Sequence, residues 1–369
     1  MSKIKYPVYQ PFIHGNEKKY VSDCIDSTWI SSKGKYIEKF ETEFSKKINV
    51  NYSIGVCNGT IALHLGLLTL GIGPGDEVIV PTFTYIASVN SVKYTGAKPI
   101  FVDSLEETWQ MDPEDIKRKI TPNTKAIMPV HLYGQMCDMD RILEIAQKNR
   151  LFVIEDCAEA FGSKYKNNYA GTFGDLSCFS FFGNKTITTG EGGMVVTDDK
   201  TLYERAVHLK GQGLAKYREY WHDVVGYNFR MTNIQAAIGL AQLEQAEQII
   251  KKKRQIFKWY KKYLNNLPIK LHEEQKNTFH TYWMVNILTE NSTVRDSLRN
   301  YLAEKGIETR PTFFPIHTMP IYDNQFNRFP VAEYLGWRGI NLPSYPDLEE
   351  TDVKFISNTI CTYYEQNPA

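Results

Sequence analysis

The sequence predicts an α/β protein: a large domain with a mostly parallel mixed sheet flanked by helices, followed by a smaller α+β domain. Short β-branched runs alternate with helical runs of roughly 8–14 residues after residue 52, a pattern typical of parallel strands joined by crossover helices. Apolar residues make up 42% of the 369 residues, enough to bury a sizeable core. We expect the large domain to span residues 1–245 and the small domain residues 246–369.

The first fifty residues precede the alternation. We predict a short extended piece over residues 6–11 and helices over residues 15–26 and 37–48. Between the two helices lies the loop STWISSKGKY, which is rich in Ser and Gly and places Trp29 in an exposed position.

The strand patterns of the alternating region are YSIGV, EVIVP, PIFVD, KAIMPV and LFVIED. Helices are predicted between them; one begins at Gly59, and another is capped by Asp112 with Pro113 at its first position. The strand GGMVVTDD and a helix in the 200s follow. The segment after GYNFRMTN predicts one long helix that leaves the large domain, and YWMVNIL and VRDSLRNYLAEKG predict a strand and a helix of the small domain.

The balance of charge argues against a nucleic-acid or anionic-membrane partner. With 43 basic and 42 acidic residues the formal net charge is +1, so no bulk electrostatic attraction to a polyanion exists. The basic run of residues 251–254 is predicted to be a solvated helix face. Six single cysteines without a CxxC or Cys/His cluster predict reduced thiols and no metal site. The first ten residues lack the apolar core of a signal peptide, and we expect a soluble, cytoplasmic protein.

The candidate site residues follow the carboxyl ends of strands, where open α/β sheets bind their ligands. Gly59 and Thr60 come after YSIGV and begin a helix, whose free N–H groups and dipole favour a phosphate group; an ordinary helix cap is the alternative. Asp156 ends LFVIED, either as a functional carboxylate or as a structural cap. Strand alternation turns Glu155 to the opposite face, and Cys157 is predicted to line the core.

Lys185 lies in the stretch FSFFGNKTITTGEGG, five residues after Ser180, and is the only ionisable side chain between residues 179 and 190. An amine in an apolar, partly buried loop is nucleophilic because burial disfavours its charged form. The alternative is a lysine whose amine extends into solvent.

Together these residues form the set that pyridoxal phosphate requires. An amine binds this cofactor covalently, a carboxylate keeps its pyridine nitrogen protonated so that the ring accepts electrons, and a backbone cradle holds its phosphate. Lys185, Asp156 and the Gly59–Thr60 turn supply one group of each kind.

Six segments in order resemble the DegT/StrS family of sugar-nucleotide aminotransferases: STWISSKG, CNGTIALHLGL, GDEVIVPTFTYIASVN, VIEDCAEAFGS, FSFFGNKTITTGEGGMV and GYNFRMTNIQAAIG. The resemblance covers essentially the whole chain. It implies the fold of the fold-type-I pyridoxal-phosphate enzymes.

The resemblance also implies a role for each matching residue. Lys185 would hold the cofactor and move protons at its C4′ carbon, Asp156 would pair with the pyridinium, and Tyr85 would stack on the ring. Glu159 stands where many members carry Gln beside the 3′-hydroxyl; whether it accepts from that hydroxyl or is itself protonated stays open. The phosphate ligands would be Gly59, Thr60, Ser180 and, from the other subunit of a homodimer, Asn228.

Three segments resemble the members that act on a GDP-linked keto sugar: VIEDCAEAFGSKY, FSFFGNKTITTGEGGMVVT and YWHDVVGYNFRMTN. This implies transfer of the amino group of glutamate to C4 of GDP-4-keto-6-deoxymannose, for an O-antigen or another surface glycan. A UDP- or dTDP-linked keto sugar and a non-catalytic regulator on the same fold are the alternatives. A dehydratase of the family has histidine where Lys185 stands. Dimer and tetramer both stay open. The substrate-binding candidates are Tyr9, Trp29, Arg230 and His317.

Overall fold

We describe the fold from a computed structural model of the chain, which describes residues 4–322 and 327–367. The ends of the two predicted domains, at residues 1 and 369, lie outside the described residues.

The central element is a seven-stranded sheet with the order β1-β9-β8-β5-β4-β2-β3. Its strands pair in parallel from β8 through β5, β4 and β2 to β3, whereas β9 runs antiparallel to both β8 and β1. The predicted mostly parallel mixed sheet is therefore confirmed. The strands are β1 Tyr52–Val56, β2 Glu77–Pro81, β3 Lys98–Val102, β4 Thr124–Ile127, β5 Phe152–Asp156, β8 Leu176–Ser180 and β9 Gly193–Thr197.

The remaining strands form two smaller sheets. A three-stranded sheet joins β6 Lys164–Tyr165, β7 Asn168–Tyr169 and β11 Thr278–Phe279 in the order β11-β6-β7. An antiparallel four-stranded sheet with the order β10-β12-β14-β13 consists of β10 Lys270–Leu271, β12 Val285–Leu288, β13 Arg310–Pro311 and β14 Gly339–Leu342.

Two helices begin at the predicted residues, Gly59 and Pro113, each after a capping side chain. Asp112 accepts a hydrogen bond from the amide of Glu114, and Asn58 accepts one from the amide of Ile61, which satisfies donors that an uncapped helix leaves open. No helix among the described residues combines the length and apolar character that crossing a bilayer needs. The helices are α1 Glu17–Asp26, α2 Lys35–Ile48, α3 Gly59–Thr69, α4 Ile86–Tyr94, α5 Pro113–Lys119, α6 Met139–Asn149, α7 Lys200–Lys210, α8 Asn233–Glu244, α9 Ala246–Leu264, α10 Ser292–Glu304, α11 Pro330–Arg338 and α12 Glu350–Gln366.

Strand alternation divides the core of the large sheet into two layers. Val153 of β5 packs in the layer that contains α2, α6 and α8, whereas Ile154 packs in the layer beneath α3, α4 and α7. Because successive side chains point to opposite faces, Glu155 faces the first layer and Asp156 the second. The end of β5 therefore presents the Asp156 carboxylate to α3 and α4.

The structure corrects the predicted long helix. It consists of two helices, α8 and α9, and Gln245 stands between them with φ −103° and ψ 0°. All strands of the four-stranded sheet follow this junction, and their apolar side chains pack with Ile256, Phe257 and Tyr260 of α9. The division of the chain into domains at residues 245 and 246 stays a prediction.

The predicted solvated face at residues 251–254 is wrong for Lys253, which is completely buried. Its position explains the error. Ile249, Lys253, Ile256 and Tyr260 follow one another at helical spacing on the buried side of α9, so Lys253 occupies a core position of an amphipathic helix.

Candidate active site

The end of β5 supplies a buried carboxylate. Asp156 is 4% exposed; its Oδ2 accepts a hydrogen bond from the Ser88 hydroxyl at 2.7 Å and its Oδ1 one from the Ala158 amide at 3.1 Å. Burial raises the pKa of Asp156, while these hydrogen bonds and the charge of Lys185 act in the opposite direction. Such a carboxylate is suited to a cationic partner that lies out of water.

Lys185 lies in the loop between β8 and β9, with its side chain 12% exposed. Its Nζ is 3.5 Å from Oε1 of Glu159 and 4.2 Å from the centre of the Trp283 ring. The amine therefore lies between a carboxyl group and an aromatic face rather than in solvent. The alternative of a solvated lysine does not fit this geometry.

The backbone around Lys185 is held from two distant parts of the chain. The Tyr9 hydroxyl donates to the carbonyl of Lys185 at 2.7 Å, and Nε1 of Trp283 donates to the carbonyl of Asn184 at 2.7 Å. Two consecutive carbonyl groups are thus fixed by two aromatic side chains, and the same Trp283 ring lies under the amine. This arrangement restricts the positions available to the Lys185 side chain.

Glu159 completes the surroundings of the amine. Its Oε2 accepts a hydrogen bond from the amide of Tyr133 at 2.8 Å, and the residue is 4% exposed. Burial, the largest effect, raises the pKa of Glu159 to about 7, although Lys185 lowers it. The carboxyl group is therefore balanced between its neutral and charged forms near neutral pH.

The raised pKa of Glu159 leads to a testable prediction for the stability of Glu159→Gln in cofactor-free protein. As pH rises from about 4.5 to 7 the unfolded chain releases the Glu159 proton before the folded chain does, so the wild type loses stability over that range. Glutamine has no proton to release. We expect the variant to gain about 2–3 kcal/mol on the wild type between pH 5 and pH 8, measured by urea unfolding. Glu144→Gln, an exposed carboxylate on α6, is the control, and parallel pH curves for Glu159→Gln and wild type would contradict the prediction.

The N-terminus of α3 forms a cradle that fits an anion such as a phosphate. The backbone N–H groups of Gly59 and Thr60 have no acceptor among the described residues, as is common in the first turn of a helix. A Cβ atom at Gly59 would lie 2.5 Å from Cβ of Ser180 and 2.7 Å from its hydroxyl oxygen, so only glycine allows Ser180 this close to the helix end. The structure thus brings the Ser180 hydroxyl and the two free amides together.

Three of the remaining predicted site residues lie on exposed surface. Tyr85 precedes α4, and its ring is 5.7 Å from that of Phe313. Arg230 Nε donates to Oδ1 of Asn228 at 2.9 Å, and both residues are exposed in the segment before α8. Within the described part of this chain, no hydrogen bond or ion pair joins Asn228 or Arg230 to Lys185, Asp156 or Glu159.

The other two substrate-binding candidates have different surroundings. Trp29 is 56% exposed, which confirms the predicted exposure of its loop. His317 is buried, with Nδ1 2.8 Å from the Thr82 hydroxyl and Nε2 3.3 Å from Oε1 of Glu333. These contacts join His317 to the residue after β2 and to the first turn of α11, and no hydrogen bond links its ring to Lys185 in the described part of the chain.

Glu155 has a structural environment, as strand alternation predicts. Its carboxylate accepts hydrogen bonds from the amides of Gly171, Phe173 and Gly174, the Ser177 hydroxyl and the His131 ring. The imidazole, carboxylate and Cys157 thiol atoms lie within 4.8 Å of one another, but five donors already occupy the carboxylate. Cys157 is fully buried, in agreement with its predicted place in the core.

Sequence reasoning missed Trp283, Ser88 and Tyr133, which contact the lysine, the aspartate and the glutamate respectively. Trp283 is 98 positions from Lys185 in the sequence, and no local pattern links them. A signal was available for Ser88 only: it lies in the first turn of α4, at the sheet edge where Asp156 ends its strand.

Comparison with known proteins places this geometry among aminotransferases. The profile of the DegT/DnrJ/EryC1/StrS aminotransferase family matches residues 11–361. A protein of Escherichia coli O157:H7 named GDP-perosamine synthase is 65% identical over 362 residues, which cover 98% of this chain and 99% of the relative. The protein of the same name from Vibrio cholerae is 50% identical over 362 residues, covering 97% of this chain and 99% of the relative.

A solved structure has the same fold. Spr1654 from Streptococcus pneumoniae, in its PLP-form, superposes with a TM-score of 0.93 at 28% identity, and the match covers 99% of each chain. The likeness therefore extends over all three sheets and includes the loop that carries Lys185.

Proposed function

Because the chain belongs to the DegT/DnrJ/EryC1/StrS aminotransferase family, we propose that it is a pyridoxal-phosphate-dependent aminotransferase that forms GDP-perosamine. Glutamate gives its amino group and leaves as 2-oxoglutarate, and GDP-4-keto-6-deoxymannose receives the amino group at C4. The fold is that of the fold-type-I aminotransferases. The observation that carries the reaction class is the Lys185 amine, fixed between Glu159 and Trp283. The choice of sugar is supported by the name that the two similar relatives share.

The site fits pyridoxal phosphate at three points. The free amides of Gly59 and Thr60 and the Ser180 hydroxyl would hold the phosphate, and Asp156 would hold the proton on the pyridine nitrogen. Held at this site, with the substrate nitrogen in place of the Lys185 amine, the cofactor would supply an electron sink for negative charge at the carbon from which a proton is removed. Burial of Asp156 strengthens its attraction for the ring cation because no water competes.

Lys185 is the proposed proton carrier. Once released from the cofactor, its Nζ would take a proton from the donor amino acid and give it to the C4′ carbon, and it would move a proton in the reverse direction for the sugar. The Trp283 ring restricts the amine to one face of the indole. The hydrogen bonds from Tyr9 and Trp283 to the carbonyls of Lys185 and Asn184 hold the loop that carries Lys185 in place. Glu159, with a pKa of about 7, can accept or donate a proton beside the amine.

The remaining residues are assigned to the rim of the site and to a second subunit. We place Tyr85 over the cofactor ring, and Tyr9, Trp29, Arg230 and His317 on the path of the sugar nucleotide. His317 would act from its buried position beside Thr82 and Glu333. Asn228 is exposed, and Arg230 is the one residue that hydrogen-bonds its side chain in the described part of the chain, which supports its reaching the phosphate of a neighbouring subunit in a homodimer. A tetramer made of two such dimers stays open.

Exposed apolar side chains in the segment before α8 support this dimer. An isolated chain would leave them in contact with water, and contiguous exposed apolar surface is typical of protein interfaces. They are Tyr217, Tyr220, Trp221 and Val225. We further propose that the enzyme works in the cytoplasm and supplies an amino sugar for O-antigen or lipopolysaccharide synthesis.

One incubation tests the proposed function. Purified protein loaded with pyridoxal phosphate is mixed with glutamate and GDP-4-keto-6-deoxymannose, and the product is identified by mass. We expect one amino group to replace the keto oxygen, and no product when glutamate is omitted. Product from a UDP- or dTDP-linked keto sugar but not from the GDP sugar would retain the reaction and overturn the substrate. No amination of any keto sugar would favour the regulator alternative.

A further inference from the structure

A buried lysine lies outside the group described above. Lys253 is 0% exposed on the inner side of α9, and its Nζ donates to the carbonyl of Ser344 at 2.9 Å. No carboxylate among residues 4–322 and 327–367 forms an ion pair with it. A buried amine without an acidic partner is rare in proteins.

Such an amine reduces the stability of the fold. Burial lowers the pKa of Lys253 to about 7, whereas the unfolded chain keeps its amine protonated up to about pH 10.5. An apolar side chain of similar volume would avoid this loss. A destabilising residue at a core position is typical of functional sites, because stability and activity often conflict there.

The contacts of Lys253 lead to the candidate active site. Its amine is 4.9 Å from the centre of the Tyr9 ring, within the range of a cation–π contact. The hydroxyl at the other end of that ring donates to the carbonyl of Lys185 at 2.7 Å. Lys253, Tyr9 and Lys185 are therefore linked in series through two direct contacts.

The backbone next to Tyr9 is fixed on the same side. The amide of Ser344 donates to the carbonyl of Val8 at 3.1 Å, and the amide of Val8 donates to Oε2 of Glu308 at 2.9 Å. Since Ser344 also accepts the Lys253 hydrogen bond, the amine and the Val8 carbonyl share one anchor. The backbone before Tyr9 and the ring of Tyr9 are thus held on the same side, and the Tyr9 hydroxyl contacts the loop that carries Lys185.

From this arrangement we propose that Lys253 is a positioning residue for Lys185, acting through the ring and hydroxyl of Tyr9. Lys253 holds the ring, Tyr9 holds the Lys185 carbonyl, and the amine of Lys185 thereby keeps one direction of approach to the cofactor. This role rests on the proposed function, since it concerns the residue that binds pyridoxal phosphate.

Capture of the cofactor measures this role without turnover. Pyridoxal phosphate is added to cofactor-free protein, and the absorption band of the lysine-bound cofactor is followed with time. We expect Lys253→Met to slow capture about tenfold and to alter the circular dichroism of the bound cofactor, while its melting temperature stays equal or rises. Lys253→Arg, which keeps a cation over the ring, should recover most of the rate. Lys251→Met, an exposed lysine on the same helix, is the matched control and should capture at the wild-type rate.

Tyr9→Phe separates positioning from packing, because it keeps the ring and removes the hydroxyl. It should slow capture to the same extent as Lys253→Met, and the double variant should be no slower than either single variant. Multiplying effects, or a wild-type capture rate in Tyr9→Phe or in a folded Lys253→Met, would overturn the inference. Wild-type protein that captures no cofactor at Lys185 would instead overturn the proposed function, so the two failures are distinguishable.

Discussion

We expect Lys185→Ala to abolish amino transfer, with a loss of roughly 10⁴-fold or more in the rate of product formation. The methyl group can neither bind the cofactor nor carry the proton, and the Glu159 carboxyl loses its partner at 3.5 Å. The rate is measured as GDP-perosamine formed by the loaded protein. The α3 cradle is untouched in the variant, so we expect it to retain pyridoxal phosphate without a covalent bond.

Two controls separate covalent binding from loss of charge. Lys185→Arg keeps a cation beside Glu159 but does not bind the cofactor covalently, and we expect it to be as inactive as the alanine variant. Borohydride should attach the cofactor to the wild-type peptide that contains residue 185 and to no other. A cofactor adduct on another lysine, or turnover near the wild-type rate in Lys185→Ala, would show that the nucleophile has been assigned wrongly.

Asp156→Asn is expected to reduce turnover by about 10²–10³-fold. The two side chains have the same shape, so the contacts with Ser88 and with the Ala158 amide can remain. The negative charge that holds a proton on the pyridine nitrogen is lost, and the ring then accepts electrons less readily. Steady-state rates measure the loss of turnover, and the absorption spectrum of the bound cofactor measures the loss of the proton on its pyridine nitrogen.

Ser88→Ala is the graded control for Asp156. It removes one hydrogen bond of 2.7 Å to the carboxylate and leaves the charge in place, so we expect a loss of no more than about tenfold. Circular dichroism should show an intact fold in both variants. Equal rates in Asp156→Asn and wild type would mean that another group protonates the ring.

The large sheet could be predicted because its signals are local. The strand patterns YSIGV and EVIVP and the cap at Asp112 each lie within a few residues of the element that they define. The turn of Asp156 away from Glu155 follows from strand alternation alone, and the structure confirms it. The antiparallel strand β9 carries no such signal, since its direction depends on pairing with β1, some 140 positions earlier.

The errors arose where a local pattern competed with a distant contact. Four consecutive basic residues suggest a solvated face, yet the helical spacing of Lys253 with Ile249 and Ile256 places it in the core. The long helix was predicted as one because no Gly or Pro interrupts it near Gln245.

The candidate site could likewise be predicted where its signals are local and not where they depend on distant contacts. Lys185, Asp156 and the Gly59–Thr60 turn could be identified because each ends or follows a recognisable strand. Trp283 and the Tyr9–carbonyl bond could not, because they join segments that only the folded chain brings together.

The two bonds to the Asn184 and Lys185 carbonyls also bear on the order of folding. The bond to Asn184 spans 99 positions of sequence and the bond to Lys185 spans 176. Contacts between such distant residues form late because each must overcome a large loop entropy. Until both have formed, the lysine loop lacks its final shape even if the central sheet is complete. We therefore expect newly made chains to pass through a compact state that does not yet bind pyridoxal phosphate covalently. Covalent binding of the cofactor should begin once Tyr9, near the start of the chain, and Trp283, in its last third, have both contacted the loop that carries Lys185.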